Sequence, residues 1–154
     1  MGRRHTGWVP LTRYRFRTDW TIRAPAPTVF ATLVDLGSYP AWWPDVRSVT
    51  RVDDDTAELV CRASLPFALR LRLTRVEEDE RAGRLGVALA GDLEGSLTGL
   101  VRADGGGTRL EIAQHVVVHK TLLRTLSPFA HPVFRVNHAA MMRRGLRGLR
   151  ARLG

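Results

Sequence analysis

The sequence predicts an α+β domain in which a curved, seven-stranded antiparallel sheet wraps around a long C-terminal helix, with two short helices after the first strand. Three observations lead there. Apolar and charged residues alternate with period 2 in successive segments from residue 13 to 119. Helical spacing rich in proline and tryptophan interrupts that pattern once, between residues 24 and 45. The end of the chain then changes to a 3.6-residue period with no acidic side chain. An antiparallel sheet with one apolar face needs a cover, and the terminal helix is the long amphipathic element available for it.

The first strand is the plainest. Tyr14, Phe16, Thr18, Trp20 and Ile22 alternate with Arg15, Arg17, Asp19, Thr21 and Arg23, giving one apolar and one charged face. Pro25 and Pro27 stop the pairing and preset a helix entry. Val29, Phe30, Leu33, Val34 and Leu36 recur at helical spacing as far as Gly37. A second short helix or turn covers residues 38–45, with Ser38 in position to cap it.

Strands are expected at 46–53 and 56–63, joined by Asp53-Asp54-Asp55, with Ala57, Leu59, Cys61 and Ala63 on one face. After a bend at Pro66, Phe67, Leu69, Leu71 and Leu73 alternate with Ala68, Arg70, Arg72 and Thr74. A charged turn over 77–82 leads to strands at 83–91 and 93–103, separated by a bend at Gly91-Asp92. Asp104-Gly105-Gly106-Gly107 is a hairpin loop before the last strand, 108–119. That strand sets Leu110, Ile112, Gln114, Val116 and Val118 on one face.

Ser127-Pro128 has the form of a helix start, with serine as cap and proline in the first turn. From there Phe129, Val133, Asn137 and Ala140 make one stripe, and Met142, Leu146, Leu149 and Leu153 continue it. Residues 1–12 have no period and read as an N-terminal arm; residues 13–154 read as one domain.

With 154 residues and a hydrophobic fraction of 44%, the chain can build one ordinary core. A single cysteine, Cys61, excludes an internal disulfide and supplies no metal-ligand spacing. The basic start lacks a following apolar stretch, and no apolar run approaches the ~20 residues of a membrane span, so a soluble cytoplasmic protein is expected. The net charge of +9 is concentrated at the two ends, while residues 19–119 carry 11 Arg against 15 acids. The basic ends would suit nucleic acid or an anionic membrane. Arginine supplies 23 of the 24 basic residues, so the excess is also what a compositional bias of the whole chain would give.

Several segments together carry a family resemblance. They are Trp20-Thr21-Ile22-Arg23-Ala24-Pro25 running into Val29-Phe30, and Tyr39-Pro40-Ala41-Trp42-Trp43-Pro44. Gly91-Asp92-Leu93-Glu94-Gly95, Gly107-Thr108-Arg109-Leu110 and Phe134-Arg135-Val136-Asn137-His138 follow. In this order and spacing, over about residues 13–153, the chain resembles the START-like (SRPBCC) superfamily, in its polyketide cyclase/dehydrase and lipid-transport branch. The resemblance implies a helix-grip fold with an apolar cavity between sheet and helix. It does not imply one chemistry, because that superfamily includes cyclases, hydroxylase subunits, transporters and plain binders.

On that fold the candidate wall residues of the sheet are Trp20, Leu59, Phe67, Leu69, Leu89, Leu97 and Val116. The helix would add Phe129, Val133, Asn137 and Met141, and Trp42 and Trp43 suit the cavity mouth, where amphipathic rings meet a ligand. Each of these has packing as its alternative role. Gln114, alone among apolar residues on its face, needs either a buried partner or a ligand. Asn137 and its neighbour His138 lie about 100° apart on the helix, so they are not expected to face inward equally. Gln114, Asn137 and His138 are the candidates for proton transfer if there is catalysis. Asp92 and Glu94 read as solvent-exposed, and Arg102 and Glu111 as a cross-strand pair.

The chain has no glycine-rich phosphate loop, GxSxG elbow, HExxH or CxxC motif. His115 and His119, four apart on a strand, lie about 13 Å from each other. No metal and no cofactor are therefore expected. The first functional expectation is a binder of a hydrophobic small molecule, such as a lipid, a polyketide or an isoprenoid. The second is a polyketide aromatase/cyclase or dehydratase, and the third an interaction protein whose basic helix meets a membrane or nucleic acid. The oligomeric state is not legible in the sequence.

Overall fold

The structure is a computed structural model that describes residues 13–62, 68–118 and 130–154. The elements are β1 (Arg13–Ile22), α1 (Ala26–Val34), a 3-10 turn (Leu36–Ser38), α2 (Tyr39–Trp42), β2 (Val46–Arg51), β3 (Thr56–Cys61) and β4 (Leu69–Asp79). After them come β5 (Arg84–Gly91), β6 (Leu93–Asp104), β7 (Gly107–Val118) and α3 (Ala130–Leu153). Among the described residues the strands form one seven-stranded sheet in the order β1-β7-β6-β5-β4-β3-β2, with every neighbouring pair antiparallel. The expected helix-grip architecture is present. The anticipated arm, residues 1–12, and the helix start at Ser127-Pro128 lie outside the described residues, as do Phe67 and Phe129.

The alternation in β1 works as the sequence implies. Tyr14, Trp20 and Ile22 are buried while Arg13, Arg15, Arg17 and Asp19 face solvent. The strand is held in register along β7, with Trp20 opposite Leu110 and Phe16 opposite Gln114. Its far end is tied down by Thr108, a fully buried residue whose hydroxyl donates to the Ala24 carbonyl at 2.7 Å. The Asp104–Gly107 connection is tighter than a four-residue loop. Asp104 pairs with Gly107 in the ladder, leaving Gly105 and Gly106 as the turn, both at positive φ. Two consecutive left-handed residues are the requirement of the hairpin turn that glycine meets without steric cost.

Three local expectations are corrected. The first half of the charged turn expected over 77–82 is strand, since β4 runs on to Asp79 and pairs Glu77, Glu78 and Asp79 with Gly86, Leu85 and Arg84, and the turn itself begins at Glu80. This extension projects past the core with both faces exposed, so it has no period-2 signal, and a register shift between Arg75 and Glu77 breaks the alternation further. Ser38 does not cap α2; its hydroxyl donates to the Asp35 carbonyl at 2.7 Å and accepts the Trp42 indole N–H at 3.2 Å. The buried stripe of α3 is also displaced in part from the one expected, of which Asn137, Met142 and Leu149 are buried. Phe134, Asn137, His138, Met142, Gly145 and Leu149 are buried, whereas Val133, Ala140, Leu146 and Leu153 are half-buried.

That displacement follows from close packing of α3 on α2. A Cβ added at Gly145 would run into the Trp43 indole, and one at Gly148 into the Trp42 carbonyl oxygen. Glycine, which carries no hydrophobic signal, thus marks the contact face. The Trp43 indole N–H donates to the Met141 carbonyl at 3.1 Å on the same side.

The described core divides in two. One cluster joins Trp20, Ile22, Val29, Phe30, Trp42, Val101, Leu110, Met142 and Leu149, between α1, α2 and the C-terminal half of α3. The other lies toward the helix start and includes Tyr14, Val46, Leu59, Leu73, Leu89, Val116, Val118 and Phe134. On the outer face of the sheet Arg102 meets Glu111 at 3.6 Å and Arg109 meets Asp19 at 2.9 Å. Solvent screens exposed pairs of this kind, so they add little to stability. Asp92 and Glu94 are exposed, and Asp92 accepts the Arg70 backbone N–H at 2.8 Å, fixing the bend between β5 and β6.

Candidate functional site

Within the second cluster α3 stands off the sheet and leaves a small cavity. The sheet side is formed by Phe16 of β1, Gln114 and Val116 of β7, Leu93 of β6, Leu69 of β4 and Cys61 of β3. The helix side is Phe134, Asn137, His138 and Met141. The space is about 40 Å³, enough for a few water molecules. Drug-sized ligands occupy pockets of ~300–1,000 Å³.

Alternation on β7 turns Gln114 inward beside Val116, and helical periodicity brings His138 over it. The imidazole Nε2 and the Gln114 amide oxygen are 3.0 Å apart. With the oxygen facing the ring, the bond requires Nε2–H and leaves Nδ1 as the acceptor of a neutral imidazole. The Phe16 ring lies flat against the same imidazole, with centroids 3.7 Å apart and planes 11° from parallel. Burial holds the His138 pKa down to about 4, so the ring is neutral at physiological pH. Asn137 and His138 are each 8% exposed. The expectation that they would not face inward equally is corrected, because the stripe that α3 buries is wide enough to take both to the same degree.

The other titratable groups near the cavity are held in their uncharged forms or paired. Burial, and secondarily the charge of Asp45, pushes the Cys61 thiol up to about 11. Burial raises the Tyr14 phenol above its usual range, partly offset by Arg135, whose guanidinium lies 5.5 Å from the Tyr14 ring centre and 5.9 Å from that of Phe16. Asp45, 2% exposed, is gripped by Arg144 through two charge-assisted hydrogen bonds, Nε to Oδ1 and Nη2 to Oδ2.

Of the sequence candidates, the structure brings Leu69, Gln114, Val116, Asn137, His138 and Met141 together on this cavity. Trp20 and Trp42 lie apart from it, buried in the other cluster. Trp43 is spent on contact with α3. Leu59 and Leu89 are buried among the apolar residues beside the cavity, and Leu97, opposite Gln114 on the neighbouring strand, and Val133 are half-buried outside its wall. Phe16, Cys61, Leu93 and Phe134 were not among the candidates. Phe16, Cys61 and Leu93 occupy positions that the period-2 pattern already turns inward, so the alternation was a signal for them. For Phe134 the stripe through Gly145 was the missing one. Among the described residues no three His, Cys, Asp or Glu side chains are grouped as a metal site requires, and no helix is long and apolar enough to cross a membrane.

An antiparallel sheet closed by one long helix, with a cavity between them, defines the helix-grip class. The chain belongs to the polyketide cyclase / dehydrase and lipid transport family, whose model matches residues 13–154. Solved structures share the fold. The Zhui aromatase/cyclase from Streptomyces sp. R1128 is 16% identical, with a TM-score of 0.75 over 92% of this chain and 93% of its own. A Thermus thermophilus protein is 19% identical, with a TM-score of 0.70 over 92% and 100%. A START superfamily protein from Mycobacterium smegmatis is 14% identical, with a TM-score of 0.68 over 92% and 97%. No curated protein shows significant sequence similarity to the chain.

Proposed function

We propose that the chain binds a hydrophobic small molecule, of lipid, polyketide or isoprenoid type, between the sheet and α3. The observation that carries this reading is the grouping of Gln114, Asn137 and His138 around an otherwise apolar gap. Such a wall orients a ligand through a few polar contacts and holds it through many apolar ones. The gap of about 40 Å³ is smaller than any such ligand, so binding has to widen it. Met141 supports that step, since an unbranched thioether on the cavity wall repacks more readily than a branched side chain.

Aromatase/cyclase or dehydratase chemistry is the second reading, favoured by the His138–Gln114 contact beside a hydrophobic chamber. An imidazole held near pKa 4 is a weak general base at neutral pH, which ranks binding first. The test is native mass spectrometry of the freshly purified chain, followed by organic extraction. A co-purifying apolar molecule that is lost in Asn137→Ala and Gln114→Ala variants of unchanged fold supports the reading. A ligand retained by both variants would remove the site from this cavity.

A further inference from the structure

The geometry points to a ligand that presents an uncharged oxygen function, a ketone, phenol or alcohol, to the Gln114–His138 pair, and to exclusion of carboxylates and phosphates from the cavity. This rests on the binding reading above and specifies its substrate class.

Among the described residues the polar side chains on the cavity are two amides, one imidazole and one thiol, and no Lys or Arg lines it. The half-buried Arg144 guanidinium is engaged along its Nε–Nη2 edge by the Asp45 carboxylate, which balances its charge. Arg135 is exposed and lies over the Tyr14 and Phe16 rings, which places an aromatic layer between it and the site. Asp45 itself acts on Cys61 in the direction that disfavours a negative charge there. An anion entering would surrender its hydration and meet neutral dipoles in return, the unfavourable exchange that keeps unpaired charges out of protein interiors.

A neutral oxygen fares differently. Where the Gln114 amide oxygen accepts from His138, the N–H pair of the same amide is the donor set left for a ligand, and imidazole Nδ1 is an acceptor. A carbonyl can take the first, and a hydroxyl can use either. The Phe16 ring, stacked on the imidazole, restrains the orientation of that ring.

The experiment compares two isosteric pairs by calorimetric titration at pH 7.5. One pair is 2-acetylnaphthalene and 2-naphthoate; the other is 1-dodecanol and laurate, so that flat rings and flexible chains are both sampled. The uncharged member of at least one pair is expected to bind about tenfold tighter or more than its carboxylate. In a Gln114→Leu variant with an unchanged melting temperature, the advantage of 2-acetylnaphthalene over 2-ethylnaphthalene should fall several-fold. Exclusion of 2-naphthoate should persist in that variant. A carboxylate that binds as tightly as its neutral partner overturns the inference and leaves the binding reading standing. No binding by any of the four overturns both.

Discussion

Asp45, immediately before β2, and Arg144, midway along α3, form a bidentate pair at 2.8 and 2.6 Å, 99 positions apart in sequence. The carboxylate is 2% exposed and the guanidinium 34%. The pair therefore acts as a clasp between the helix and the start of the β2–β7 meander, with the carboxylate covered from water while the arginine is in place.

Arg144→Met should accordingly destabilise the fold by about 2–4 kcal/mol, toward the range for breaking a buried ion pair. Urea denaturation at pH 7.5 measures it. Adding Asp45→Asn to that variant should restore part of the loss, because the amide removes the stranded charge. A double variant no more stable than Arg144→Met would show that the arginine acts by packing alone.

His138 gives the protein a pH-dependent stability of known sign. Its folded pKa is about 4 against ~6.5 in an unfolded chain, so between those values the unfolded state binds more protons. The contribution is fully present above pH 6.5, is lost as pH falls toward 4, and is flat below that. Its full size is of the order of 3 kcal/mol. His138→Phe should flatten this part of the urea-midpoint profile relative to the parent, and an NMR titration of the ring should place its midpoint well below the ordinary imidazole value of ~6.5.

Gly145→Ala and Gly148→Ala are expected to lower the melting temperature, although alanine normally favours a helix interior by up to about 1 kcal/mol over glycine. The added methyl meets the Trp43 indole at Gly145 and the Trp42 backbone oxygen at Gly148. The ring can shift more readily than the backbone, so Gly148→Ala should be the more damaging, at about 1–3 kcal/mol or above.

Thr108→Val keeps the shape of a buried side chain and removes its hydroxyl from the Ala24 carbonyl. A loss of about 1–3 kcal/mol is expected in urea denaturation. No change would mean that the carbonyl finds another partner.

The strands were legible in the sequence where each buries one face, as up to Leu73, because burial writes period 2 into the residues. Where burial stops, as at Glu77, Glu78 and Asp79, the pattern stops too, although the strand continues. In the site, Gln114 was visible as a polar residue on an apolar face. Its partner was not, since nothing local in Asn137-His138 says that both are turned toward the sheet. The Asp45–Arg144 pair had no sequence signal at all: a buried aspartate beside Pro44 looks like any turn aspartate, and its arginine lies among other arginines. Family resemblance supplied the frame, while the side-chain pairs that shape the cavity needed coordinates.

The β2–β7 strands follow one another through adjacent pairings, but β1 joins the sheet only through β7, with Trp20 opposite Leu110. Short loops close cheaply and a long one closes at greater entropic cost. The cavity draws Phe16 from that distant strand, Gln114 from the end of the meander and His138 from the terminal helix. No contiguous stretch of the chain therefore contains the site. A nascent chain emerging from the ribosome can complete its hairpins in order, yet the cavity has no walls on two sides until β1 and α3 have both docked.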